Sequence, residues 1–96
     1  MAGKTAKPIK LKKVEFVLDA PEAKAIFLAG TFNDWSVEKH PMKKSHEQRW
    51  EKTLTLAPGS YEYKFFVDGR WTEDPQNERR CTNIFGTLNS IVKVSG

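Results

Sequence analysis

Cysteine and histidine are scarce in this chain, whose 96 residues include one Cys and two His. Cys81 has no partner for an internal disulfide, which agrees with a reducing compartment. His40 and His46 lie in a polar segment at a spacing that fits no strong metal motif, and we interpret both as solvated side chains. The sequence therefore predicts neither a metal site nor a cofactor.

Long apolar runs and catalytic motifs are missing as well. No stretch approaches the length of a membrane span or of a signal peptide's apolar region, so we expect a cytoplasmic protein with no membrane partner. The chain also lacks a phosphate-binding glycine loop and a nucleophile elbow. Asp68 and Asp74 are a conceivable carboxylate pair for glycoside hydrolysis, but a small sandwich offers little cleft and both fit local turn roles better. We predict that the chain is not an enzyme.

The formal charge of +4 comes partly from a lysine-rich start between Lys4 and Lys13. We interpret residues 1–10 as a flexible lead-in and residues 11–96 as one domain, because the length suffices for a single core. The alternative is a nucleic-acid-binding arm assisted by Arg79 and Arg80, which we consider the weaker interpretation.

Short alternating segments separated by turn formers dominate the remainder. No segment has sustained helical periodicity, so the pattern predicts an all-β, antiparallel β-sandwich. The region from Arg49 to Asp68 resembles two antiparallel strands joined by a short connection, whereas 37–48 and 75–83 are predicted loops. The predicted strands are Leu11–Leu18, Lys24–Ala29, Arg49–Leu56, Tyr61–Val67 and Leu88–Val94.

The central segment from Tyr61 to Pro75 is the most informative. Alternate positions from Tyr61 to Val67 are apolar or aromatic, which indicates a half-buried strand, and the opposite face carries Lys64 and an unexplained Phe66. Asp68-Gly69 predicts a tight turn because Gly accepts a positive φ. Trp71 then follows directly.

Three segments carry a resemblance to a known family. They are Phe27–Trp35 (FLAGTFNDW), Pro58–Trp71 (PGSYEYKFFVDGRW) with Asp74-Pro75, and Phe85–Val92 (FGTLNSIV). Together they resemble the glycogen-binding domain of the AMP-activated protein kinase β subunit and the related carbohydrate-binding modules of isoamylases and glycogen-branching enzymes. The resemblance covers about Val14 to Val94. It implies an immunoglobulin-like β-sandwich that binds α-1,4-linked glucans such as glycogen, starch, maltooligosaccharides or cyclodextrin.

The resemblance also implies which residues bind the sugar. The family's two binding tryptophans fall on Trp35 and Trp71, its strand lysine on Lys64 and its asparagine on Asn89. At the position of a family leucine that threads into the curved sugar chain, this sequence has Phe85, which either adds a stacking surface or changes the preferred ligand. Indole faces suit the C–H face of glucose, and Lys and Asn supply hydrogen bonds to its hydroxyls.

A different use of the same surface is also open. The aromatic residues could dock a protein partner, either kinase-like or amylolytic, instead of a sugar. Taken one at a time, Trp35 and Trp71 could equally be packing residues and Lys64 a solvated strand position. Trp50, which shares a face with Leu54 and Leu56, is predicted to belong to the core.

Overall fold

The computed structural model describes residues 10–45 and 48–95. The predicted lead-in up to residue 9 and the interpretation of His46 lie outside the described residues. Within the described ranges, no helix is long and apolar enough to cross a membrane. The strands are β1 (Lys12–Asp19), β2 (Ile26–Gly30), β3 (Lys43–Lys44), β4 (Arg49–Leu56), β5 (Gly59–Val67), β6 (Arg70–Thr72), β7 (Arg80–Thr82) and β8 (Leu88–Val94).

These strands form two antiparallel sheets, as the all-β prediction requires. The smaller sheet has the order β1-β4-β3, and the five-stranded sheet has the order β2-β5-β8-β7 with β6 paired to β5. Strand β5 holds the larger sheet together, since it pairs with β2 along one edge and with both β8 and β6 along the other.

The core lies between the two sheets and contains the apolar face of each alternating strand. Tyr63 and Phe65 of β5 are buried, and so are Trp50, Leu54 and Leu56 of β4, as their patterns predicted. Aromatic rings meet edge to face in this layer, for example Phe16 and Tyr63 with centroids 4.9 Å apart. The remaining buried apolar residues include Phe16, Leu18, Ile26, Leu28, Met42 and Val94.

The predicted pairing of the strands from Arg49 to Asp68 is wrong. Both strands exist, but β4 pairs with β1 and β3, whereas β5 pairs with β2, β8 and β6. Their apolar faces meet across the core rather than lying side by side in one sheet. The chain therefore crosses from one sheet to the other at Ala57-Pro58, where the Tyr61 hydroxyl donates a 2.6 Å hydrogen bond to the Ala57 carbonyl.

Two short strands lie in segments that were predicted to be loops. Strand β7 covers only Arg80–Thr82 and pairs with β8, and β3 covers only Lys43–Lys44 and pairs with β4. Neither has an alternating apolar pattern, because both are edge strands whose side chains are largely exposed. Backbone pairing with a longer neighbour, rather than side-chain burial, creates these strands.

The turn predicted at Asp68-Gly69 is present and joins β5 to β6. Both residues have positive φ, 48° and 86°, in a two-residue connection between paired Val67 and Arg70. This combination is typical of the hairpin turn whose twist matches that of the flanking strands. The Asp68 carboxylate also accepts hydrogen bonds from the backbone N–H groups of Lys24 and Ala25, at 2.9 and 2.8 Å. The turn is thereby fixed to the start of β2.

Candidate functional site

An open cavity of about 770 Å³ lies on the outer face of the five-stranded sheet. It is on the opposite side of β5 from the core, because Glu62 and Lys64 alternate with the buried Tyr63 and Phe65. All five residues predicted for the site line this cavity, namely Trp35, Lys64, Trp71, Phe85 and Asn89. It is also lined by residues that were not predicted, namely Glu62, Thr82, Asn83, Ile84 and Thr87.

One wall of the cavity is a row of aromatic rings. Trp71 lies directly opposite Phe66 in the β5–β6 pair, and their ring centroids are 4.9 Å apart. Trp35 also meets Trp71 edge to face, with ring centroids 6.2 Å apart. Phe66, whose role the sequence left open, therefore supports Trp71. Trp71 keeps 48% of its surface exposed, so a large apolar face remains open to solvent.

The loop after β2 places Trp35 through an unusual backbone. The short 3-10 helix Thr31–Asn33 is followed by Asp34 and Trp35, which have φ of 56° and 59°. Positive φ is unfavourable for a residue with a Cβ and costs about 1–3 kcal/mol, so other contacts must maintain it. One such contact is the 2.9 Å hydrogen bond that Trp35 N–H donates to the Gly30 carbonyl. Buried Asn33 anchors the same turn, since its side chain accepts a hydrogen bond from Gly30 N–H and donates one to the Leu28 carbonyl.

Lys64 lies at the base of the cavity and is more deeply buried than a solvated strand position would be. It is 8% exposed, and its Nζ donates a 3.0 Å hydrogen bond to Thr87 Oγ1. An ammonium group has three N–H donors, and Thr87 accepts one of them. Because a buried charge needs partners, the remaining donors favour a ligand that offers oxygen atoms.

Asn89 occupies the adjacent position of the floor on β8. It is 5% exposed, and its Nδ2 donates a 2.9 Å hydrogen bond to Glu62 Oε1. Cys81 pairs with Asn89 in the β7–β8 ladder. Burial, followed by a hydrogen bond to Glu62, raises the pKa of the Cys81 thiol.

The loop between β7 and β8 forms the outer rim. Ile84 and Phe85 at its tip are 93% and 82% exposed, although both are large and apolar. Asn83 closes the loop, because its backbone N–H donates to the Thr87 carbonyl at 2.8 Å. Gly86 follows the tip with φ of 81°, a conformation that suits glycine.

The other residues considered from the sequence lie outside the cavity. The Asp74 carboxylate accepts hydrogen bonds from the Tyr63 hydroxyl at 2.7 Å and from Gln76 N–H at 3.0 Å. Asp74 and Asp68 are therefore occupied in local structure, as predicted for both. Arg80 lies 3.6 Å from the Glu73 carboxylate.

Some of the unpredicted lining residues had a usable signal in the sequence. Glu62 has the same strand parity as Lys64, and Thr87 lies with Asn89 in the segment Phe85–Val92 (FGTLNSIV) that carries the family resemblance. Asn83 and Gly86 are typical turn formers. Nothing in the sequence indicated that the side chain of Asn83 would reach the floor, because that contact depends on the position of the whole loop.

The arrangement suits a ligand that has both an apolar face and a polar edge. Exposed indole and phenyl groups form the wall and the rim, whereas an ammonium, amides and a hydroxyl form the floor. Sugar rings have this combination of surfaces, since C–H groups cover their faces and hydroxyls surround their edges.

Comparison with known proteins agrees with this description. The family model described as the glycogen recognition site of AMP-activated protein kinase matches residues 13–96. The human 5'-AMP-activated protein kinase subunit beta-1 is 45% identical over 71 residues, which cover 74% of this chain and 25% of that protein. The mouse subunit beta-2 is 37% identical over 90 residues, which cover 94% of this chain and 32% of that protein.

A solved structure is similar as well. The crystal structure of maltogenic amylase from S. marinus matches with a TM-score of 0.74 and 27% sequence identity, over 88% of this chain and 14% of the amylase. The chain thus spans about a quarter to a third of the length of these kinase subunits. It spans a smaller share of the amylase.

Proposed function

This chain belongs to the family described as the glycogen recognition site of AMP-activated protein kinase, and from that premise we propose that it binds α-1,4-linked glucans without catalysis. The ligands are glycogen, starch, maltooligosaccharides or cyclodextrin, and the binding unit is the domain of residues 11–96. The observation that supports this proposal most directly is that Trp35, Lys64, Trp71, Phe85 and Asn89 line one cavity.

In this proposal the aromatic residues bind the faces of successive glucose units. Trp71 and Trp35 meet at a 75° interplanar angle, so they present two surfaces in different directions. A curved α-1,4-glucan offers its ring faces in changing directions too, whereas a flat chain does not. Phe85, exposed on the rim, provides a third apolar surface for the same ligand.

Lys64 and Asn89 bind the hydroxyls at the sugar edge. Both lie at the base of the cavity, where they are held by hydrogen bonds to Thr87 and Glu62. Groups that are held in place before binding lose little entropy when the ligand arrives. Since the cavity is open and bridging water contributes to such contacts, we expect affinities on the order of micromolar to millimolar.

A binding role without hydrolysis is supported by the lining residues. Glycoside hydrolysis ordinarily uses two carboxylic acids about 5–10 Å apart, one on each side of the bond. Among the described residues that line the cavity, Glu62 is the single Asp or Glu. Its carboxylate accepts a hydrogen bond from Asn89, so it has a structural partner already.

The proposal is tested by isothermal titration with a panel of glucans. We expect saturable binding of maltoheptaose and β-cyclodextrin and no binding of cellohexaose, a β-1,4-linked glucan with flat chain geometry. Trp35→Ala is expected to abolish detectable binding while the domain remains folded. The absence of a response to every α-glucan at millimolar concentration would contradict the proposal.

A second candidate function is docking of a protein partner. The exposure of Ile84 and Phe85 favours it, because exposed apolar side chains at a loop tip are typical of interaction surfaces. Capture of a purified kinase catalytic subunit that persists in excess maltoheptaose, and is lost in Ile84→Ser, would support this function. Displacement of that subunit by maltoheptaose would instead indicate that the glucan cavity itself is the contact.

A further inference from the structure

Asn83 connects the exposed rim of the cavity to its floor. Its side-chain Oδ1 accepts hydrogen bonds from the backbone N–H groups of Phe85 and Thr87, at 2.9 and 3.1 Å. Its Nδ2 donates to Thr87 Oγ1 at 2.7 Å and to Asn89 Oδ1 at 3.0 Å. One side chain therefore contacts the loop that carries Phe85 and also the amide of Asn89.

The direction of these hydrogen bonds is fixed by groups that can only donate, namely the backbone N–H groups of Phe85 and Thr87. A backbone N–H can only donate, so the atom of Asn83 that faces Phe85 and Thr87 must be the carbonyl oxygen. The amide nitrogen is then directed toward Thr87 Oγ1 and Asn89. Because that nitrogen only donates, the atom of Asn89 that it meets must be the carbonyl oxygen.

The orientation of Asn89 follows from both of its neighbours. Its Oδ1 faces Asn83, so its Nδ2 faces Glu62, whose carboxylate oxygen accepts the hydrogen bond. Thr87 Oγ1 accepts from both Asn83 and Lys64, which leaves its hydroxyl proton as a donor. The floor therefore has donors left for a ligand: the remaining N–H groups of Lys64, the Thr87 hydroxyl proton and the second Nδ2–H of Asn89, since the first is donated to Glu62.

We propose that Asn83 is a positioning residue of the glucan site, an inference that rests on the proposed function. Asn83 sets the direction of the Asn89 amide and holds the Thr87 hydroxyl so that both present donors to the sugar oxygens. It also attaches the Phe85 loop to the same floor. Asn83 acts through these residues and needs no contact with the ligand.

The variant Asn83→Asp separates these two roles. Its new carboxylate still accepts from the backbone of Phe85 and Thr87, so the loop is retained. That carboxylate has no N–H to donate, and it places a negative charge beside Asn89 Oδ1. We expect the Asn89 amide to turn away from its original direction. The affinity for maltoheptaose should then fall about 10-fold, which corresponds to the loss of about one hydrogen bond between Asn89 and the sugar.

Asn77 provides a matched control on another loop. Its Oδ1 accepts from Arg79 N–H at 2.9 Å, and its Nδ2 donates to the Tyr63 hydroxyl and the Ile91 carbonyl at 3.0 and 2.8 Å. Asn77→Asp therefore removes the same kind of donor and keeps the same kind of backbone contact, but Asn77 does not line the cavity. The thermal stability of Asn77→Asp should fall about as much as that of Asn83→Asp, while its affinity for maltoheptaose stays unchanged.

A second readout needs no ligand. In the ¹H–¹⁵N spectrum of the free protein, Asn83→Asp should shift the side-chain amide signals of Asn89 and leave the backbone signals of Phe85 and Thr87 close to their original positions. Unchanged Asn89 signals, or an affinity equal to that of the unaltered chain, would overturn the inference. If the unaltered chain binds no glucan, the proposed function fails, and the spectrum alone still decides whether Asn83 orients Asn89.

Discussion

Replacing Trp71 with Ala removes a large exposed apolar face from the cavity. Trp71 is 48% exposed, and its covered part lies against Phe66 and Trp35. The substitution therefore affects ligand binding and fold stability through different parts of the same side chain. The exposed part is available to a glucan, and the covered part supports the β5–β6 hairpin.

The expected loss of affinity follows from the exposed area. A Trp side chain buries about 150–250 Å², so the exposed share of Trp71 is roughly 100 Å². At about 25 cal/mol per Å², covering between half and all of that area contributes roughly 1.3–2.5 kcal/mol. The dissociation constant for maltoheptaose should therefore rise about 8-fold to 70-fold in Trp71→Ala.

The matched control is Trp50→Phe, which changes the same residue type in the opposite sheet. Trp50 is buried, and its Nε1 donates a 3.0 Å hydrogen bond to the Ala20 carbonyl. Its replacement should lower the free energy of unfolding by about 1–3 kcal/mol and leave glucan affinity unchanged. The reasoning would be refuted if isothermal titration gave Trp71→Ala the same affinity for maltoheptaose as the unaltered chain. It would also be refuted if Trp50→Phe lost as much affinity as Trp71→Ala.

Three further predictions concern stability. Tyr63→Phe leaves buried Asp74 without a 2.7 Å donor, so urea unfolding should show a loss of about 2 kcal/mol. Burial is the largest cause of the raised pKa of the Tyr63 hydroxyl. The stability that this hydroxyl contributes is therefore complete below pH 10, its ordinary pKa, and is lost as the pH rises above that value. Tyr63→Phe should lack this pH dependence of stability. Burial lowers the pKa of His40 from 6.5. The stability that neutral His40 contributes is therefore complete above pH 6.5 and decreases as the pH falls below it. NMR titration of the imidazole measures this pKa. Gly30→Ala should unfold at lower temperature in a thermal melt, because its Cβ would collide with the Glu62 carbonyl oxygen.

Each of these predictions has an outcome that contradicts it. Tyr63→Phe with unchanged stability, or with the same loss of stability above pH 10 as the unaltered chain, would show that the buried hydroxyl contributes nothing. A His40 pKa at or above 6.5 would remove the basis for its acid dependence. An unchanged melting temperature in Gly30→Ala would mean that β2 and β5 can separate at no cost, and Ser60→Ala is the control at an exposed position of β5.

The strands that could be predicted are those in which apolar side chains are grouped on one face. The bounds of β4 and β8 agree with the sequence prediction because most of their apolar residues have the same strand parity and so lie on one face. β7 carries no such signal, since it is an edge strand made by pairing with β8. The prediction that β4 pairs with β5 was also wrong, because alternation shows that a strand has a buried face but not which sheet provides its neighbours.

The sequence by itself determined that the chain is an antiparallel sandwich, and it named the five side chains that are candidates for the site. These properties depend on local alternation, turn residues and recognisable motifs. Only the tertiary structure decided that Lys64 and Asn89 are buried in a floor, that Phe66 supports Trp71, and that Asn83 connects the rim to that floor. Residues 35, 64, 71, 85 and 89 meet because strand register and loop closure bring distant segments together, and a contact of that kind has no local pattern.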